Sequence, residues 1–344
     1  MNITGLGPYK WKYKIDRPLV EEEKLNCLHK KDKASKEPDY DLSVICLNST
    51  YMELVDRWYS SKGHAVVYGI MGVAPFVLGA VIMLVAALER QGTFAMWFGL
   101  GISFLFSLVA ICFFYLFCLE AFRRTHYPIR VNRKNRMVYA FKPDGKIIKA
   151  SWDDLFFCKA SSKPPLGERD YDIRAHVLDA DGETIRATFT LAMPHSGAEE
   201  RLVDLWEYVR RYMEEDKGVV ENYELTQFCW PISGRREGVR YGIIGGFSPA
   251  AVAPYLIQLP FSPYFALITW GRLIAMYTSR VPHWPESVEA ECSVADNDPY
   301  FKDWRDNRKL SFKQGVVPVI GFVIGSIFWG IATYYAVTNL MHAM

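Results

Sequence analysis

Three long stretches of the chain carry no charged residue at all. They are Ala65 to Leu88, Thr93 to Leu119 after a short "ERQG" break, and Gly315 to Leu340. As a helix rising about 1.5 Å per residue, the first would be roughly 36 Å long, enough for a hydrocarbon core of about 30 Å. A buried core helix of a soluble protein seldom runs beyond about 18 residues without a charge. The pattern therefore predicts a transmembrane hairpin over 65–119, with spans 65–88 and 93–119, and a further transmembrane helix over 315–340. Pro75 and Pro318 do not oppose this, because neighbouring groups satisfy the carbonyls that proline frees in a membrane helix.

Between these runs the period changes from helical to two. Tyr127 to Leu191 reads as about six short alternating strands, "PIRVNR", "RMVYAFK", "KIIKASW", "LFFCKA", "YDIRAHVLD" and "TIRATFTLA". The "PDG" at Pro143 to Gly145 and "DADGE" at Asp179 to Glu183 are tight turns between them. Leu202, Leu205, Trp206, Val209, Tyr212 and Met213 then recur at helical spacing, behind a capping-box pair of Ser196 and Glu199. The expectation is an antiparallel meander closed by one amphipathic helix, over 127–216. Residues 1–64 are polar and mixed in charge, with a solvated loop from Lys30 to Asp41. Thr50 with Glu53 has capping-box spacing and predicts a short helix over "YMELVDRWY", Tyr51 to Tyr59.

Residues 241–279 are apolar but interrupted by Pro249, Pro254, Pro260 and Pro263 and by Arg272. Arg235, Arg236 and Arg240 precede the run and Arg280 follows it, so both ends belong on the same, positive side. Either two short spans or a proline-broken interfacial or re-entrant hairpin satisfies that rule. A charge mid-span costs on the order of 3 kcal/mol on insertion scales. The hairpin avoids that cost by leaving Arg272 near headgroups, with Trp270, Tyr277 and Trp284 also at the interface.

Composition adds compartment to this picture. The 344 residues are half hydrophobic and 15% aromatic, with a formal charge of only +2. Lys and Arg gather before the first span (Arg57, Lys62), after the second (Arg123, Arg124, Arg130) and before the third (Arg305, Arg308, Lys309, Lys313). By the positive-inside rule the N-terminus, the β-rich region and the 280–314 linker are cytoplasmic. The N-terminal residues have no apolar core of signal-peptide length, so insertion falls to the first span. Seven scattered cysteines without a CxxC are expected as free thiols in that compartment.

Candidate chemistry is sparse. The seven histidines form no paired metal motif, and "DADGE" lacks the rest of a calcium loop. "GGFSPA" at Gly245 to Ala250 lacks the last glycine of a nucleophile elbow, so Ser248 is better read as a helix cap. Asp296, Asp298, Asp303 and Asp306 could hold a divalent ion, and Asp296 and Asp298 with His283 could serve a membrane enzyme acting on lipid, although aspartates around a proline usually mark turns. There is no phosphate-cradling glycine loop and no basic stripe of the kind that binds nucleic acid. No catalytic, cofactor or metal residue is therefore assigned. Arg130, Arg133, Lys134, Arg136 and Lys146 are the candidate contacts to lipid headgroups or to a partner. The glycines of "GFVIGSIFWG", Gly321, Gly325 and Gly330, include a GxxxG spacing suited to close helix packing.

Two resemblances bear on this. Six or seven antiparallel strands followed by one helix is similar in element order to a pleckstrin-homology-like barrel. The stretch "WGRLIAMYTSRVPHWPESVEAECSVADNDP", Trp270 to Pro299, with the order hairpin, β domain and second membrane region, resembles an uncharacterised family of bacterial membrane proteins. Its members, a family with a domain of unknown function, are often encoded beside type VI secretion effectors. The patterning makes this an α+β integral membrane protein, multi-pass and without an enzyme's motifs, and the resemblance implies that it acts in the bacterial inner membrane by binding. Its partners would be the bilayer and a secreted toxin, with the chain acting as an immunity or accessory protein.

Overall fold

In the computed structural model, residues 13–90, 92–162, 169–248 and 258–343 are described. The chain divides into two compact units, each assembled from three separate stretches: 1–60, 126–235 and 281–309 in the first, 61–125, 236–280 and 310–344 in the second. The first unit is mixed α+β with antiparallel sheets. The second is helical and, among the described residues, holds three helices long and apolar enough to cross a membrane.

Among its described residues the first unit contains two sheets. One has the order β2 (Val44–Leu47), β3 (Tyr51–Leu54), β4 (Ile129–Asn132), β5 (Met137–Phe141) and β6 (Ile147–Ser151), with every neighbouring pair antiparallel. The other is β1 (Arg17–Pro18), β9 (Thr184–Ser196), β8 (Asp170–Leu178) and β7 (Leu155–Ser162). The predicted turns are where the sequence places them, with Gly145 and Gly182 at φ 87° and 70°, backbone that glycine adopts without strain. Helix α4 (Glu199–Glu214) buries the six predicted apolar positions against the sheets. Trp206 stacks on Trp152 with ring centres 5.8 Å apart, and both indoles are fully buried.

Two expectations are corrected here. Tyr51 to Leu54 is a strand, not the start of a helix. Asn48 Oδ1 accepts from the backbone N–H groups of Thr50 and Tyr51, an Asx turn that folds "VICL" back onto "YMEL" as a hairpin, and all eight strand residues are buried. The Glu53 carboxylate goes to Arg130 across the sheet rather than back to a helix N-terminus. The expected linker 280–314 also contributes to the first unit. Its helix α8 (Glu286–Glu291) and the residue after it, Cys292, pack through Val288 and Cys292 on Cys46, Tyr51 and Tyr139.

In the second unit α2 (His64–Glu89) and α3 (Phe94–Cys118) form the predicted hairpin. Phe113 lies where a Cβ on Gly72 would fall, and the Ser103 hydroxyl donates to the Ala80 carbonyl at 2.8 Å. The middle region contains α6 (Val239–Phe247) and α7 (Ser262–Thr278); the residues between them up to 257, including Pro254, lie outside those described. Helix α7 runs antiparallel along α9 (Val317–Ala343). Trp270 meets Phe322, Ala266 meets Gly325, and the Trp329 indole donates to the Pro263 carbonyl at 2.8 Å. The N-terminal end of α7 thus reaches only as far as residue 329, and α9 continues for fourteen residues beyond it. Many large side chains on α2, α3 and α9 face outward, Phe104, Ile111 and Ile331 among them.

Candidate functional site

The best-defined polar centre of the first unit is built around Arg130. Its position in β4 faces Glu53 of β3 in register, and α8 brings Glu289 to the same place. Arg130 is 4% exposed; Nε donates to Glu53 Oε2 at 2.5 Å and Nη1 to Glu289 Oε2 at 2.9 Å. The guanidinium is held between the rings of Tyr51 and Trp284, 4.5 and 4.9 Å from their centres. The Trp284 indole donates to the same Glu53 oxygen at 3.1 Å. Burial works against the arginine's charge, but Glu53 and its other partners outweigh it and hold the pKa above its ordinary value. A cavity of about 150 Å³ opens beside this pair, lined also by His126, His283 and Pro282. That is room for a few waters or the tip of one side chain.

The five predicted contact residues do not converge. Arg130 is internal, Arg133 donates to the Tyr212 carbonyl, and Arg136 is paired with Asp153 and Glu214 at 2.5 and 2.7 Å. Lys134 and Lys146 are exposed on two different turns. Trp284, one of the four interface candidates, packs on Phe141 and Arg130 in the first unit, with its ring 4.6 Å from that of Phe141.

Of the other interface candidates, Trp270 and Tyr277 are about half exposed, and the Trp270 indole donates to Ser326 Oγ at 3.0 Å. Arg272 is 1% exposed and does not snorkel to a surface. Its Nη2 and Nε meet the carboxylate of Glu237 at 2.9 and 3.2 Å, and Glu237 is equally buried. A residue just outside the apolar run supplies the counter-charge, which is why inspection of the run alone missed it. The pair sits where backbones nearly touch: a Cβ on Gly63 would come within 2.4 Å of the Arg272 N, and one on Gly245 within 2.9 Å of its Nε.

A second polar centre went unread in the sequence. In β8 the residues Asp172, Arg174 and His176 alternate with Ile173, Ala175 and Val177, so one face of the strand is apolar and the other ionisable. That alternation is the signal. Arg57 Nη1 and Arg174 Nε hold the two Asp172 oxygens at 2.5 and 3.0 Å. Farther along, His176 Nδ1 bonds Thr188 Oγ1 at 2.8 Å, and its Nε2 lies 3.4 Å from Glu23 and 3.5 Å from the Cys158 sulfur. Burial pushes the His176 pKa down. Burial acts to raise Glu23, but Arg17 and His176 pull it well below the carboxylate range. Burial also pushes the Cys158 thiol up, so at neutral pH this is a thiol beside a neutral imidazole rather than a thiolate nucleophile.

Three of the four aspartates near 300, Asp298, Asp303 and Asp306, serve turns. Asp298 accepts from the Ser49 N–H and hydroxyl at 2.8 and 2.7 Å, and Asp303 caps the 3₁₀ turn Trp304–Asp306 and pairs with Arg305. Among the described residues, no group of three or more His, Cys, Asp and Glu is spaced to hold a metal ion. Of the three GxxxG-region glycines, Gly321 and Gly325 take close contacts from Phe247, Ser262 and Ala266, while Gly330 meets nothing within 4 Å.

No curated protein and no solved structure matches this chain. Residues 106–296, more than half of the chain, match the family described as "Family of unknown function (DUF6708)". That stretch contains Arg130, Cys158, His176, Glu237, Arg272, Trp284 and Glu289, and the chain belongs to this family.

Proposed function

We propose that the protein is a non-enzymatic, multi-pass protein of the bacterial inner membrane that acts by binding another protein. On the family resemblance carried by Trp270 to Pro299, that partner is a membrane-acting toxin delivered by type VI secretion, and this chain is its immunity or accessory protein. The observation that carries the binding role is the division into a polar unit with a buried apolar core and a helical unit with outward apolar side chains. The second is suited to lipid and to helices within it, and the first to presenting a surface.

The polar unit is, in this reading, a pleckstrin-homology-like scaffold, supported by two antiparallel sheets with α4 packed on their core. It lies in the cytoplasm with the N-terminus, on the strength of the flanking Lys and Arg. Residues 241–279 form a re-entrant hairpin rather than two spans, supported by α7 ending beside residue 329 of α9. Labelling of a cysteine placed at Phe261 from the outer face would overturn that arrangement.

The alternative, a membrane-tethered module that reads lipid headgroups, is disfavoured by the dispersal of its five basic candidates, three of which already have partners in the fold. It predicts liposome binding that weakens when Lys134 and Lys146 are neutralised. For the leading reading, a strain lacking the gene should be killed by sister cells that secrete the toxin encoded nearby, with survival restored by the intact gene. Unchanged survival of the deletion strain would sink it.

A further inference from the structure

Cys27 and Cys158 are 131 positions apart in the chain and directly opposite in the fold. They form an isolated antiparallel pair between the segment after α1 (Glu21–Leu25) and strand β7. The Leu28 N–H donates to the Phe157 carbonyl at 2.8 Å and the Lys159 N–H to the Asn26 carbonyl at 2.9 Å. Those two bonds flank the cysteines on either side, so the pair occupies a non-hydrogen-bonded site. At such a site the Cα atoms are about 4.5 Å apart and the side chains leave the same face. Disulfides accept Cα separations from about 4.4 to 6.8 Å. Both residues are free thiols in this structure. Cys27 is half-buried, and Cys158 is fully buried beneath it.

We propose that Cys27 and Cys158 are a site of reversible oxidation, joined by a disulfide when the protein meets a hydroperoxide. In the first step the Cys27 sulfur attacks the peroxide, an S–O bond forms as the O–O bond breaks, and one water or alcohol leaves. In the second, the Cys158 sulfur attacks the Cys27 sulfur; the S–S bond forms, the S–O bond breaks, and the hydroxyl departs as water with the Cys158 proton. Two thiols and one hydroperoxide thus give one disulfide, one water and one further water or alcohol. Cys27, the more accessible, is the sulfur oxidised first, and Cys158 resolves it. Burial pushes both thiols up, with Lys30 pulling Cys27 partly back. The pair is accordingly slow to oxidise and stays reduced in an ordinary cytoplasm.

The bond would have two consequences. It closes a loop from residue 27 to residue 158 that contains the whole α2–α3 sequence, and closing a loop of that length stabilises the fold mainly by restricting the unfolded chain. It also fastens the N-terminal segment to β7 beside the Glu23–His176 contact, and draws the Cys158 sulfur away from His176.

The test uses the full-length protein in detergent micelles, treated with hydrogen peroxide, blocked with N-ethylmaleimide, digested and analysed by mass spectrometry. The expected product is one cross-linked peptide pair containing Cys27 and Cys158, two hydrogens lighter than its parts and released by dithiothreitol. The oxidised protein should melt several degrees higher, and Cys27→Ser should abolish both the cross-link and the shift while leaving the melting of the reduced protein unchanged. Recovery of Cys27 as its sulfinic acid or maleimide adduct, with Cys158 unlinked, would overturn the proposal. So would cross-links spread equally over Cys46, Cys229 and Cys292, which would report unfolding rather than a prepared pair. Cys158→Ala, at a buried position, is checked by whether its reduced form still melts cooperatively; if it does, a persisting peroxide-induced shift also overturns the proposal.

Discussion

The two units solve the burial problem in opposite directions. The polar unit hides its largest side chains, Trp152, Trp206, Tyr208 and Tyr212, and its ionisable groups are held in networks around Arg130, Asp172 and Glu207. The helical unit turns Phe104, Ile111 and Ile331 outward and keeps glycine, alanine and serine between its helices. In the first, stability comes from removing apolar surface from water. In the second, whose large side chains face outward, the helices are held by close backbone approach and by a few internal polar contacts. The same side-chain chemistry therefore has different consequences in the two units, and substitutions should separate them.

The largest separation is expected from the aromatic core. Trp206→Ala should cost about 3–5 kcal/mol, a large share of a domain's stability, seen as an early urea transition of the polar unit. Phe104→Ala on α3, 66% exposed, should leave that transition unchanged. The helical unit is expected to depend on its internal ion pair. Arg272→Met alone takes the guanidinium from the buried Glu237 carboxylate and should cost on the order of 3–5 kcal/mol, read as a lower melting temperature in detergent. Adding Glu237→Leu should recover most of it; a double variant as unstable as the single would show that the pair is not the source.

A smaller effect is expected where helices touch. A Cβ on Gly325 would lie 2.3 Å from the Ser262 carbonyl oxygen, so Gly325→Val should cost on the order of 1–3 kcal/mol and separate α7 from α9. Cross-linking of cysteines placed at Trp270 and Phe322 should then fall, whereas Gly330→Val, in open space, should leave it as it was.

The smallest effect appears only in acid. Burial tends to raise Glu207, but its bonds to Arg210 and Arg211 depress it from 4.5 to about 2. A carboxylate depressed by folding contributes stability that is complete above its ordinary pKa and is lost as pH falls through the folded value. Stability of the polar unit should decline between about pH 4.5 and pH 2. Glu207→Gln should flatten that decline while lowering stability at neutral pH.

The sequence was most legible where one period dominates over many residues. The three long apolar helices, the α4 stripe and the glycine turns at Gly145 and Gly182 all stand where the pattern puts them. It misled at Thr50 to Glu53, where a three-residue spacing is compatible with a helix cap and with a strand, and the Asx turn at Asn48 decides between them. It was silent wherever partners come from distant stretches. Nothing local links Glu53 to Arg130 and Glu289, Glu237 to Arg272, or Cys27 to Cys158. The ionisable alternation of Asp172, Arg174 and His176 was readable, and it marks a buried polar face rather than a solvent-facing one, because residues from the N-terminal segment complete it.

The interleaving of the two units along the chain bears on how the protein is made. The polar unit draws on residues 1–60, 126–235 and 281–309, so its last stretch, carrying Trp284 and Glu289, is synthesised after α2, α3, α6 and α7. The Arg130 centre cannot close until then. During synthesis Arg130 and Glu53 wait without Glu289 while the apolar helices emerge from the ribosome. Ribosomes stalled before residue 284 should therefore carry a polar unit that proteases cut readily, and the released full-length chain one that they do not.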